Sequence, residues 1–104
     1  MKYNKLVRDK IPEIIANSKK VVCFRYLEGE EYKEALERKL DEEVAELHEN
    51  LSIEEFADVA EVLYALIEAC GYRVIDVIKC RERKRAEKGA FDRGAYLEEV
   101  MMND

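Results

Sequence analysis

From Glu30 to about Asn50 the apolar residues follow one line: Leu36, Leu40, Val44, Leu47 and Leu51 stand at i, i+4, i+8, i+11 and i+15. A helix turns once in about 3.6 residues, so this spacing gives a single apolar stripe. A second helix starts at once. Ser52 and Glu55 form an S-x-x-E capping box ahead of Phe56, Val59, Ala60, Val62, Leu63, Leu66, Ile67 and Cys70. Gly71 follows and suits the left-handed position that ends a helix. The apolar arc of this helix is broad and predicts cover on more than one side, as in a central helix or a subunit interface. A further helix is predicted from about Val74 to Lys88, stopping at Gly89. Near the start, Asp9 as N-cap and Pro12 in the first turn predict a short helix near 10–18.

Two segments read differently. "VVCFRYL", β-branched and aromatic and bounded by Lys19-Lys20 and Gly29, predicts a short strand or extended segment near 21–27. The tail predicts a short turn or helix around Tyr96–Met101. The short turn around Asn50–Ser52 makes its two flanking helices antiparallel neighbours. The expected fold is therefore all-α, an antiparallel helical bundle in a single domain spanning 1–104. A chain of 104 residues buries only about two-thirds of its unfolded surface. Completion of the bundle by a second copy, as a homodimer or a dimer of dimers, is expected on that ground.

Composition narrows the function. The single proline and four glycines leave little room for a turn-rich β fold. Cys23, Cys70 and Cys80 are far apart and, with one histidine, spell no zinc site. Small, reduced side chains of a cytoplasmic protein account for them. No apolar run has the length of a signal peptide core or a membrane span. The net charge of −6 speaks against general nucleic-acid binding. Its distribution is more telling. Residues 1–20 carry six basic and two acidic side chains, residues 28–68 three and fifteen, and residues 73–94 eight and four. If the basic ends fold over the acidic middle, a cation and an anion can be bound side by side.

The acidic middle holds the candidate chemistry. "KLDEEVAELHENLSIEEFADVAEVL", Lys39–Leu63, contains nine carboxylates, and no lysine or arginine occurs between Lys39 and Arg73. At about 100° per residue, Lys39, Glu43, Glu46 and Asn50 share a strip bordering the leucine stripe, whereas Glu42 and Glu49 lie farther out. On the next helix Glu55 and Asp58 border the apolar face while Glu61 and Glu68 point outward. Packing the two apolar faces together brings the pairs Glu43/Glu46 and Glu55/Asp58 to one level. Four converging carboxylates repel unless a cation joins them, and oxygen-only ligands suit Mg²⁺, or Mn²⁺, rather than zinc. The competing explanation is a solvated acidic face, with Glu55 serving Ser52 in the capping box and Lys39–Glu43 an ordinary i, i+4 pair.

These residues also spell a known pattern. Glu42-Glu43-x-x-Glu46 followed by Glu55-x-x-Asp58 resembles the E-E-x-x-E … E-x-x-D signature of the MazG-like all-α nucleoside triphosphate pyrophosphohydrolases. "YNKLVRDKIPEII" and "KRAEKGAFDRGAYLEE" resemble a branch of small house-cleaning enzymes in that superfamily, and the resemblance covers nearly the whole chain. It implies Mg²⁺-dependent attack of water on a nucleoside triphosphate or related nucleotide, giving the monophosphate and pyrophosphate. Glu43, Glu46, Glu55 and Asp58 are then the metal ligands. Glu42 and Glu43 are the catalytic candidates, with Glu42 orienting or deprotonating the water. Lys39, Lys84, Arg85, Lys88 and Arg8, with Lys10 as a further candidate, neutralise phosphate charge, and Phe91 is placed against a base or in the core. Two other functions remain open: a non-enzymatic helical interaction module using the acidic hairpin or the basic C-terminal helix, and a nucleotide or metal sensor without turnover.

Overall fold

The computed structural model describes residues 1–102. The fold is all-α, with α1 at Ile11–Asn17, α2 at Gly29–Glu49, α3 at Ile53–Ala69 and α4 at Val74–Lys88. It divides into two compact units, Met1–Val74 and the residues from Ile75 onward. None of the helices is long and apolar enough to cross a membrane.

The first unit is organised by α2 packed on α3. Asn50, extended at φ −149°, ends α2, and Ser52 starts α3 by accepting the Glu55 N–H at 3.3 Å. Three residues thus reverse the chain and lay α3 back along α2. At the far end of α3, Gly71 adopts φ +88°, a conformation that costs a side-chain-bearing residue strain. The Gly71 N–H donates to Glu68 O at 2.9 Å and the Tyr72 N–H to Ile67 O at 3.2 Å, the paired bonds of a Schellman end.

The seam between these helices is thin. Among the described residues, Ala35 and Leu36 are the buried apolar ones and no large side chain is fully enclosed. Leu40, Val44 and Leu47 of α2 are half-buried, as are Val59, Ala60, Val62, Leu66 and Ile67 of α3. Phe56, Leu63 and Cys70, which the broad arc of α3 placed under cover, are exposed within this single chain. The apolar arc of α3 therefore has a covered part and an open part.

Three local expectations change. Asp9 is not the cap of α1: Lys10 takes that position without a side-chain bond, and the turn is set by the Ile11 N–H donating to Arg8 O at 3.0 Å. Of the two alternatives for residues 21–27, strand or extended segment, the strand does not form. A lone strand has no partner for its backbone groups. Local contacts order the segment instead: Phe24 and Tyr26 stack edge to face at 5.5 Å, and Arg25 forks Glu31 of α2 at 3.0 and 2.7 Å. The tail from Ala95 to Met102 is not helical. It follows a turn closed by the Gly94 N–H on Phe91 O, has no capping residue at its start, and falls short of the ~12–15 residues an unsupported helix needs.

Within the second unit, α4 ends with the Gly89 N–H donating to Arg85 O at 2.8 Å. Its last turns present basic side chains, which suit the negative end of a helix.

Candidate metal centre

The covered line of α2 runs Leu36, Leu40, Glu43, Leu47, spaced four, three and four apart. That is the spacing of a helix seam, so Glu43 occupies a position where a leucine would belong. It is only 7% exposed, the one charged residue buried among those described. Glu55 and Asp58 face the same seam from α3 and are half-buried. One carboxylate oxygen from each of Glu43, Glu55 and Asp58 lies within 4.8 Å of the other two.

Two oxygens in this cluster are orphaned. Glu43 Oε2 and Glu55 Oε2 are covered from solvent and accept no hydrogen bond. A buried polar atom left without a partner costs about 1–3 kcal/mol, and more when it carries charge. The cap explains why Glu55 is available. Only the first half of the expected box forms, since the Ser52 N–H donates to Asn50 O at 2.9 Å instead of to Glu55. The Glu55 backbone serves the cap and its carboxylate serves the seam.

The chain supplies part of the missing positive charge. Lys39 Nζ sits 3.2 Å from Glu43 Oε1 and 3.4 Å from Glu42 Oε1. Residues before α1 lie across the acidic hairpin, with Lys5 Nζ 2.9 Å from Glu42 Oε1 and Arg8 Nη2 2.8 Å from Asp58 Oδ1. The basic start of the chain thus folds over its acidic middle. Lys5 was not foreseen, because nothing in the sequence separates it from Lys2 or Lys10. These cations reach Glu42, the Oε1 side of Glu43, and Asp58, and leave both orphaned oxygens untouched.

Glu46 stands apart from the trio. It is exposed, yet its carboxyl is pushed above the usual range, first by the charge of Glu43, then by partial burial and by Glu55 and Glu42. Glu42 moves the opposite way. The hydrogen bond from Lys5 is the main cause holding its carboxyl below the usual range. Lys84, Arg85 and Lys88 belong to the second unit, where all three are exposed on α4. They line an open concavity with Gly89, Ala90 and Phe91, and Arg85 Nη2 lies 3.6 Å from Asp92. Phe91 is exposed rather than part of a core.

The donor set fits a hard divalent cation. All three converging groups are carboxylates, with no histidine or cysteine among them. The two orphaned oxygens are what such an ion would satisfy.

No protein-family model matches the chain. No solved structure matches it either. Among curated proteins it is similar to an uncharacterized protein of Mycolicibacterium smegmatis, at 57% identity over 42 residues, 40% of this chain and 43% of that protein. The match thus spans less than half the length of that relative.

The two shifted carboxyls predict opposite pH behaviour in the ion-free protein. Glu46 binds its proton more tightly folded than unfolded, so its charge destabilises the fold above the raised folded pKa and the effect fades as pH falls through it. Glu42 stabilises above the unfolded carboxylate pKa and loses that contribution as pH falls toward its depressed folded pKa. Thermal unfolding should therefore show Glu46→Gln more stable and Glu42→Gln less stable than wild type at pH 7, with both differences shrinking in acid. Equal effects at pH 7 and at low pH would contradict the electrostatic origin.

Proposed function

We propose that the protein is a Mg²⁺-dependent nucleoside triphosphate pyrophosphohydrolase, with Mn²⁺ as an alternative ion, acting on the nucleotide pool of the cytoplasm. The observation that carries this reading is the pair of solvent-covered, unpartnered oxygens of Glu43 and Glu55 beside Asp58. Glu43, Glu55 and Asp58 would hold the ion, and Glu46, three residues from Glu43 on α2, would be the fourth candidate ligand. When bound, the ion supplies phosphate charge neutralisation and a water of lowered pKa. Glu42, whose carboxyl the Lys5 hydrogen bond holds below the usual range, would orient that water or take its proton. Lys39 already faces Glu42 and Glu43 and screens their mutual repulsion. The E-E-x-x-E … E-x-x-D pattern supplies the reaction class, since spacing of this kind resembles enzymes that release pyrophosphate. Lys84, Arg85 and Lys88 are phosphate-binding candidates on their own surface of α4.

An interaction module would gain nothing from burying a glutamate in its helix seam. Acids meant for a basic partner belong on the outer face, where Asp41, Glu49 and Glu61 stand. A second copy of the chain is the proposed partner. Phe56, Leu63 and Tyr64 of α3 are 56%, 40% and 45% exposed, and a unit with so little enclosed apolar volume gains most from covering them.

Two measurements check this reading. A panel of standard and damaged nucleoside triphosphates with Mg²⁺ should reveal pyrophosphate release, reduced at least about 100-fold in Asp58→Asn and Glu43→Gln. Release that survives both substitutions removes the site, and no release from any substrate removes the activity. Sedimentation velocity should give a dimer or a dimer of dimers, shifted toward monomer by Leu63→Glu. A monomer at micromolar concentration would overturn the proposed partner.

A further inference from the structure

The Arg8–Asp58 contact belongs to a different class from the rest of the cluster. Its two side chains are 57% and 37% exposed, and an ion pair in that setting contributes little to stability. Glu43 and Glu55, whose carboxylates converge with that of Asp58, each have an Oε2 that lies covered and unpaired, where a missing partner is costly. A divalent ion entering the trio therefore gains the two orphaned oxygens and risks only a weak surface pair. Asp58 is the shared element: one of its oxygens accepts from Arg8, and it is also one of the three carboxylates that converge.

Loss of that pair would not set the residues before α1 free. Lys5 is bonded to Glu42, which lies outside the trio, so the segment keeps a second hold on α2. The backbone at Arg8 is fixed independently, because its carbonyl accepts the Ile11 N–H at the start of α1. The guanidinium would be displaced only as far as its own side chain allows, and it would stay beside the ion. A planar group with several donors at that place is suited to phosphate oxygens.

We propose that Arg8 is an exchangeable counter-ion: it holds Asp58 in the ion-free protein, a divalent ion at Glu43, Glu55 and Asp58 competes for that carboxylate, and the released guanidinium then binds phosphate. This deepens the hydrolase reading and rests on its metal site. It gives the site an order of loading, ion first and phosphate second. Competition also makes the coupling reciprocal: the factor by which Arg8 weakens the ion is the factor by which the ion weakens the Arg8–Asp58 pair.

The test is calorimetric titration of the full chain and of Arg8→Gln, first with Mg²⁺ alone and then with pyrophosphate at saturating Mg²⁺. Arg8→Gln should bind Mg²⁺ about two- to five-fold more tightly, the scale of an exposed ion pair. The same variant should bind pyrophosphate at least about five-fold more weakly, the scale of a charge-assisted contact. Opposite signs are the signature, since a purely structural role would weaken both. Mg²⁺ affinity that is unchanged or lower in Arg8→Gln overturns the exchange, and unchanged pyrophosphate affinity overturns the second role of the guanidinium. Wild-type protein that binds no Mg²⁺ removes the metal site itself and the exchange with it, an outcome distinct from either of the others.

Discussion

A carboxylate in a leucine position is the constraint on which this structure turns. Glu43 stands between Leu40 and Leu47 in the seam that joins α2 to α3, and one of its oxygens has no partner. A glutamate is rarely buried unless it is paired or bound to a metal. Here the pairing is incomplete: Lys39 reaches Oε1, Oε2 is covered without a hydrogen-bond partner, and the carboxylate converges with those of Glu55 and Asp58. Leucine would serve the seam alone better, and the proposed ion is what would offset the cost of the acid.

The surrounding features follow from that one burial. The cap of α3 uses the Glu55 backbone and leaves its side chain for the cluster. Asp58, past the first turn, where the helix dipole offers it little, gains Arg8 from the residues before α1. Glu42, one position from Glu43 and outside the seam, takes Lys5 and part of Lys39. Cations thus surround the carboxylates on the solvent side and are missing where the helices meet. The remaining negative potential also accounts for the raised carboxyl of Glu46.

Apolar spacing made α2 and α3 legible, and Pro12, Ser52, Gly71 and Gly89 are local signals of helix limits. Glu43, Glu55 and Asp58 were legible for the same reason: helical angles place them at the edge of the apolar face. The greater depth of Glu43 could have been read from the four-three-four spacing of Leu36, Leu40, Glu43 and Leu47. Tertiary facts were out of reach. The pairing of Lys5 with Glu42 joins residues 37 apart, and that of Arg8 with Asp58 joins residues 50 apart. Gross charge segregation hinted at such contacts without selecting the residues. Of the two alternatives for 21–27, strand or extended segment, the strand is not realised, because strand propensity is a preference of side chains and a strand also needs a neighbour. Composition cannot say whether one exists.

Whether the seam is built for an ion can be read from the unfolding temperature with and without Mg²⁺. An ion that binds only the folded state stabilises it in proportion to the logarithm of its concentration above Kd. Wild-type protein should melt at a temperature that climbs steadily with Mg²⁺. Glu43→Gln, which keeps the shape and removes the charge, should melt at a temperature independent of Mg²⁺. A wild-type melting temperature indifferent to Mg²⁺, together with a Glu43→Gln protein more stable than wild type, would show the buried carboxylate to be an uncompensated cost and contradict the account.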